Sequence, residues 1–314
     1  ALLRPGDLLL SITGKPYDTL DSIIGFNDNK SSLKSFGIGY RQVDLIDSNF
    51  DYDKIKKSLE SEKIKVVEIQ RSIGYSNRNT ISIESLEKVI KFIRSIDKDV
   101  IIMVDNCYCE FVGVREPIEV GADICVGSLI KNLGAGISEN GAYITGRKDL
   151  IYLCSERLNM PGEAWDVGPS LNANKMFLKG LYFAPSVVAS ALKTNVYAAY
   201  KLEKMGINVS PKYNEDKSDI VLKVIFNDKD KLIKFVSLIQ KNSAVDASVY
   251  PIPSKMPGYD DEIIMASGSF TQGSSIELSC DGPIRSPYIA YLQGSLTYEY
   301  GKIAIDNIIN ELSK

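Results

Sequence analysis

Between residues 7 and 146 short β-rich runs alternate with helical patterns, and this alternation constrains the fold more than any other feature. "DLLLSIT" (7–13) reads as a strand. A strand at 42–47, a helix at 51–61 and a strand at 65–70 follow, then a helix at 82–96 and a strand at 99–105. Further strands are expected at 123–127 and 141–146. The helix at 82–96 puts Leu86, Val89, Ile90 and Ile93 on one face, the period of an amphipathic helix. "DVIIMVD" is apolar almost throughout, as strands covered on both faces are. Such a series implies an α/β fold whose parallel or mostly parallel sheet is covered by helices. Ligands of such sheets bind beyond the carboxyl ends of the strands.

The alternation breaks over 157–180, which holds Pro, Gly, Asn and the only tryptophan, Trp165. That stretch reads as a long active-site or interface segment. A helix at 186–206, a strand at 219–226 and a helix at 230–240 come next. Strands at 246–252, 262–267 and 275–280 and a last helix at 296–312 complete a smaller α+β unit. The expected division is a large domain over 1–195 and a small C-terminal domain over 196–314, well within reach of a chain of 314 residues.

The chain has no histidine. Ser-His-Asp and Cys-His catalysis are excluded, as is any His-ligated metal. Proton transfers must fall to Lys, Tyr, Asp, Glu, Cys or a cofactor. Five cysteines are present, two of them the Cys107/Cys109 pair. A lone C-x-C is a weak zinc signal, so reduced, core-filling thiols and no metal are expected. A net charge of −3 gives no basic footprint for nucleic acid. No apolar run is long enough to span a membrane, and "ALLRPGDLLL" lacks a secretory pattern, so a cytoplasmic location is expected.

"EVGADICVGSLIKNLGAG" raises the question of chemistry. A strand ends in Gly-Ser, and Lys131 then stands alone among uncharged residues. A surface lysine is one reading. The other is a Schiff-base lysine, whose amine must be desolvated to act as a nucleophile. Ser128, three residues earlier, can put a hydroxyl on a phosphate, and Gly134 and Gly136 can admit a cofactor ring to the backbone. Asp105 ends the most apolar strand, where a carboxylate is costly without a cationic partner. A protonated pyridine nitrogen is such a partner, and a helix cap or loop ion pair is the alternative. Tyr17, after the first strand, is either a packed loop aromatic or a ring stacked on a flat cofactor.

Asp105-Asn106 followed by Ser128-Leu129-Ile130-Lys131 resembles the Asp-Asn and Ser-x-x-Lys motifs of pyridoxal-phosphate enzymes of Cys/Met metabolism. More narrowly, "RPGDLLLSITGKPYDTL", "EIQRSIGYS", "VDNCYCEFV", "PGYDDEIIMASGSFTQGSSIELSCDGPIRSPY" and "YLQGSLTYEYGK" look like the methionine gamma-lyase-like aluminium-resistance proteins, relatives of cystathionine beta-lyase. The likeness covers nearly the whole chain. It implies the aspartate-aminotransferase-like fold (fold type I) and pyridoxal 5'-phosphate as cofactor. It also implies an amino-acid substrate, carbon–sulfur lysis by elimination, and a homodimer or homotetramer. By the same resemblance Lys131 carries the cofactor and shuttles the alpha proton, Asp105 pairs with the pyridine nitrogen, Tyr17 stacks on the ring and Ser128 touches the phosphate. An arginine should hold the substrate carboxylate. Arg285, in "SCDGPIRSPY", is the first choice and Arg71, in "IQRSIGYS", the second.

Two departures accompany the likeness. Ser-Leu-Ile-Lys lacks the second hydroxyl residue often found before the lysine. The family also carries, ahead of the point matching "ALLRPGD", a helix start that cradles the phosphate, so an N-terminal segment is expected to be missing here. The same lysine and aspartate would serve a transferase or racemase on another amino acid. A catalytically idle stress-response homologue would keep the scaffold as well.

Overall fold

The computed structural model describes all residues, Ala1–Lys314. They form two compact units. The first comprises Ala1–Cys107, Gly113–Gly127 and Tyr143–Leu171; the second comprises Tyr108–Val112, Ser128–Ala142 and Asn172–Lys314.

The first unit runs β1 (Leu8–Ser11), α1 (Leu20–Ile24), β2 (Gly39–Gln42), α2 (Tyr52–Ser61), β3 (Ile64–Gln70), α3 (Ile83–Ile96), β4 (Ile101–Asp105), β5 (Ile124–Ser128), β6 (Ala142–Gly146) and α4 (Lys148–Leu158). The strands form one six-stranded sheet in the order β2-β1-β3-β4-β5-β6. β1 pairs in parallel with β2 and β3, and β4 with β3 and β5. Alternation along each strand supplies a core on either face. Leu10, Val67 and Ile102 pack with Ile55 and Leu59 of α2 and with Leu86, Val89, Ile90 and Ile93 of α3. Leu9, Val66, Ile101 and Ile124 pack with Leu150 of α4. Helix starts follow local chemistry: Asp51 Oδ1 accepts the Lys54 amide of α2, and Ser82 Oγ accepts the Ser85 amide of α3.

The second unit runs α5 (Asn174–Lys204), β7 (Asn208–Ser210), β8 (Val221–Ile225), α6 (Lys229–Lys241), β9 (Ser254–Lys255), β10 (Glu262–Ala266), β11 (Ser279–Pro283), β12 (Ile289–Gln293) and α7 (Tyr298–Leu312). Its sheet has the order β7-β8-β12-β11-β10-β9, every neighbouring pair antiparallel. α5, α6 and α7 bury Ala198, Leu202, Phe235, Val236, Ile305 and Ile308 against Leu222, Val224, Ile264, Cys280 and Leu292.

Four expectations are corrected. The strand expected at 42–47 lies at Gly39–Gln42. Asp47 and Ser48 take left-handed φ of 46° and 64°, and Ile46 and Asn49 close a tight turn there. The helix expected from residue 186 begins at Asn174, so the irregular stretch is shorter. Pro185 is tolerated inside it because that residue is exposed and the carbonyl it leaves unpaired can face water. No strand forms at 246–252; Pro251 and Pro253 offer no amide donors, and the edge strand is the two-residue β9. The strand expected at 275–280 starts at Ser279, because Leu278 sits at a left-handed φ of 76°. The central β12 was not anticipated; it is a short apolar run between Pro287 and Gly294.

Candidate active site

Tyr17, Arg71 and Asp105 belong to the first unit, and Ser128, Lys131 and Arg285 to the second.

In the first unit the end of β3 organises the others. Gln70 stands opposite Asp105 in the β3–β4 register. Its backbone amide donates to Thr13 Oγ1 at 3.1 Å and its Oε1 accepts the Tyr17 amide at 2.8 Å. The Tyr17 ring meets Tyr75 edge-on, with centroids 5.5 Å apart. Gly74 has a φ of 57°, and a Cβ there would come within 3.1 Å of the Tyr17 ring. Arg78 donates to the carbonyls of Gln70, Arg71 and Ser72 and so ties down the segment after β3. Asp105 accepts the Cys107 amide on Oδ1 at 2.9 Å, an Asx turn that orients the carboxylate. Its carbonyl accepts the Arg71 amide at 3.0 Å.

Arg71 is 4% exposed. Its Nη1 donates to Asn106 Oδ1 at 2.6 Å and its Nε to the Ile81 carbonyl at 3.2 Å, while Asn106 Nδ2 donates to Glu116 Oε2 at 2.8 Å. This network braces the Asp105-Asn106 turn.

The second unit takes up the chain at Ser128, the last residue of β5, whose Oγ accepts the Ile130 amide at 3.2 Å. The hydroxyl proton can then serve an anionic oxygen. Lys131 follows, with its Nζ 4.3 Å from the centroid of the Tyr108 ring. A single 3₁₀ turn, Asn132–Gly134, comes next, and buried Asn132 donates through Nδ2 to the Glu110 carbonyl at 3.0 Å. The glycines of this loop serve packing. A Cβ on Gly134 would lie 1.6 Å from the Leu129 carbonyl oxygen, and one on Gly136 would lie 2.7 Å from Leu296 Cδ2. Gly180 of α5 completes the fit: a Cβ there would lie 2.6 Å from the Gly134 carbonyl oxygen.

Arg285 lies in the turn between β11 and β12 and donates through Nη1 to Asp261 Oδ2 at 2.9 Å, both side chains partly exposed.

Gln70, Arg78 and Tyr108 escaped the sequence reading. Asp105-x-x-Tyr108 gave a signal only in its proximity to Asp105, since Lys131 reaches that ring from a distant part of the chain. Glu68 gave a clearer one, a carboxylate inside the apolar run "KVVEIQ". Burial pushes its carboxyl up to about 7; Ser11 and Arg78 oppose the shift and Asp105 adds to it.

The sequence profile described as methionine gamma-lyase matches residues 1–313. Protein YnbB of Bacillus subtilis is 47% identical over 314 residues, covering 99% of this chain and 74% of the relative. A solved carbon–sulfur lyase involved in aluminium resistance from Clostridium novyi is 45% identical with a TM-score of 0.93, over 99% of this chain and 73% of that one. A candidate cystathionine beta-lyase involved in aluminium resistance from Listeria monocytogenes is 45% identical with a TM-score of 0.95, over 98% of this chain and 76% of that one. With a match that runs the length of the chain and relatives well above the level at which kinship is secure, the chain belongs to the methionine gamma-lyase family.

Proposed function

We propose that the chain is a carbon–sulfur lyase that uses pyridoxal 5'-phosphate to cleave a sulfur amino acid by elimination. Family membership carries the lyase assignment. The observation that carries the cofactor is the lysine loop: a primary amine, Lys131, three residues after a strand-terminal hydroxyl, with an aromatic face for its immediate neighbour. The donor set fits the group by its chemistry. An amine suits an aldehyde, the Ser128 hydroxyl a phosphate, the Asp105 carboxylate a protonated ring nitrogen, and the Tyr17 ring a flat heterocycle. The fold-type-I architecture, with a cofactor domain over 1–195 and a small domain over 196–314, is part of the same reading.

When bound, the cofactor supplies an electron sink for charge developing at the substrate's α-carbon. Lys131 would hold it through its amine and would take and return the α-proton of the substrate. Asp105, its carboxylate oriented by the Asx turn to Cys107, would pair with the ring nitrogen. Ser128 donates to the phosphate. Arg285 takes the substrate carboxylate, its guanidinium already aimed by Asp261.

A homodimer or homotetramer in the cytoplasm belongs to this proposal. Leu178 and Tyr182 of α5 are 68% and 79% exposed, apolar surface of the kind that associates. No helix is long and apolar enough to cross a membrane. Nucleic acid is no part of the reading.

Lys131→Ala tests it. The variant should lose the cofactor's lysine-linked absorbance and all turnover of cystathionine, cysteine and methionine. A borohydride-trapped adduct that survives in the variant overturns the assignment. In the wild-type protein, pyruvate against 2-oxobutanoate among the products separates β from γ elimination, and bound cofactor with no elimination product points to a transferase or racemase.

A further inference from the structure

Ser11 and Glu68 pose a problem of proton accounting. Ser11, in β1, is 0% exposed, and Glu68, in β3, is 5% exposed. The Ser11 Oγ lies 2.8 Å from the Gly14 carbonyl oxygen and 2.8 Å from Glu68 Oε2. Two such bonds need two protons, and a serine hydroxyl has one. The carbonyl can only accept. A single proton shared between both acceptors would make two weak three-centre bonds; a second proton on the carboxyl gives one ordered chain of full bonds, in which Glu68 Oε2–H donates to Ser11 Oγ and Ser11 Oγ–H donates to Gly14.

We propose that Glu68 is a positioning residue held as the neutral acid, and that its proton completes this chain and fixes the segment carrying Tyr17. The rest of the segment is anchored to the same strand. The Ile12 amide donates to the Glu68 carbonyl at 3.2 Å, the Gln70 amide to Thr13, and the Tyr17 amide to the Gln70 side chain. Ionised Glu68 would take the Ser11 proton for itself and leave the Gly14 carbonyl buried without that donor.

The charges around Glu68 agree. From β4, Asp105 opposes ionisation; from the segment after β3, Arg78 favours it, and burial outweighs both, so the carboxyl is pushed up to about 7. From β2, the Tyr40 phenol is itself pushed up by burial and by Glu68; a hydrogen bond with Ser11 opposes the shift, and Asp44 and Asp21 add smaller contributions to it. Glu68 and Asp105 share one face of the sheet, since Glu68 pairs with Met103 and Gln70 with Asp105. A neutral Glu68 leaves Asp105 without a second carboxylate charge behind it. The hydrogen-bond chain itself does not depend on the proposed cofactor; only the use made of Tyr17 and Asp105 does.

Amide hydrogen exchange at Gly14 and Tyr17 in the full chain, without added cofactor, tests the proposal. Corrected for intrinsic rates, wild-type protection should fall about tenfold or more between about pH 6 and about pH 8.5, as Glu68 ionises. Glu68→Gln keeps a neutral donor and should stay protected at both, and Ser11→Ala should be poorly protected at both. Wild-type protection that does not change with pH, or a Gln variant that loses it as the wild type does, overturns the proposal. The infrared spectrum needs no variant. A protonated-carboxyl band that moves on ¹³C-glutamate labelling should be present at the lower pH and fade at the higher, and its absence at the lower pH also overturns the proposal. Failure of the cofactor reading would leave every one of these outcomes standing.

Discussion

The ammonium of Lys131 lies over the ring of Tyr108, 4.3 Å from its centroid. Tyr108 adopts a left-handed φ of 71°, a conformation that costs a tyrosine about 1 kcal/mol or more. Its carbonyl accepts the Ile220 amide at 3.1 Å, and its hydroxyl lies 3.4 Å from Ser275 Oγ. The aromatic face orients the lysine through a cation–π contact of about 0.5–2 kcal/mol. Tyr108→Phe keeps the face and should retain kcat within about threefold, whereas Tyr108→Leu should lose about tenfold or more. Steady-state kinetics beside the cofactor absorbance would separate a misplaced lysine from a lost one.

Gly180 tests how tightly the lysine loop is packed. Alanine would gain about 1 kcal/mol of helix propensity in α5. It would also drive a Cβ to 2.6 Å from the Gly134 carbonyl oxygen, a backbone atom that cannot swing aside. Overpacking of this kind costs about 1–3 kcal/mol and should win. Thermal melts of Gly180→Ala should therefore show a lower Tm, and kcat should fall with it. Gly113→Ala is the control: a Cβ there meets nothing within 4 Å, and stability should not change.

Asp306 of α7 accepts the Tyr197 hydroxyl of α5 at 2.6 Å and ion pairs with Lys201 and Lys302, each at 3.0 Å. The Tyr197 hydrogen bond first, then the two lysines, hold its carboxyl down at about 2. A depressed carboxyl stabilises the fold above its ordinary value and loses that contribution as pH falls towards the folded one. The group is partly exposed, so solvent screening leaves about 1 kcal/mol. Asp306→Asn should melt about 2–4 °C below wild type near neutral pH. The gap should close as the pH is lowered from about 4 towards 2.

The two arginines read as substrate anchors should part company under mutation. Arg285→Lys keeps the charge and loses the two-pronged geometry, so KM should rise about tenfold or more with cofactor absorbance unchanged. An unaltered KM would place the anchor elsewhere. Arg71→Lys should act on stability instead, because it leaves the Asn106 side chain and the Ile81 carbonyl short of buried donors.

Local signals carried most of the fold. The four apolar positions of α3 were legible because neighbours in sequence decide them. The same holds for the run that becomes β4, with Asp105 at its end. What stayed hidden was decided at a distance. The register of β11 depends on β10 and β12. α5 starts early because Pro185 falls on an exposed side, which no local pattern announces. Gly134 reads in sequence as room for a ligand, and in the fold its missing Cβ makes room for the Leu129 carbonyl. The partners of Lys131 and Ser11 could not be named before the strands were laid side by side.

The antiparallel sheet is bounded by β7, three residues long, and β9, two residues long. Pro211 follows β7 at once, and Pro253 stands directly before β9. Long, flat borders invite another polypeptide to add a strand, and brevity and proline both deny that template. Crowded in a cell or concentrated in a tube, the molecule is built to resist runaway fibril growth along this sheet.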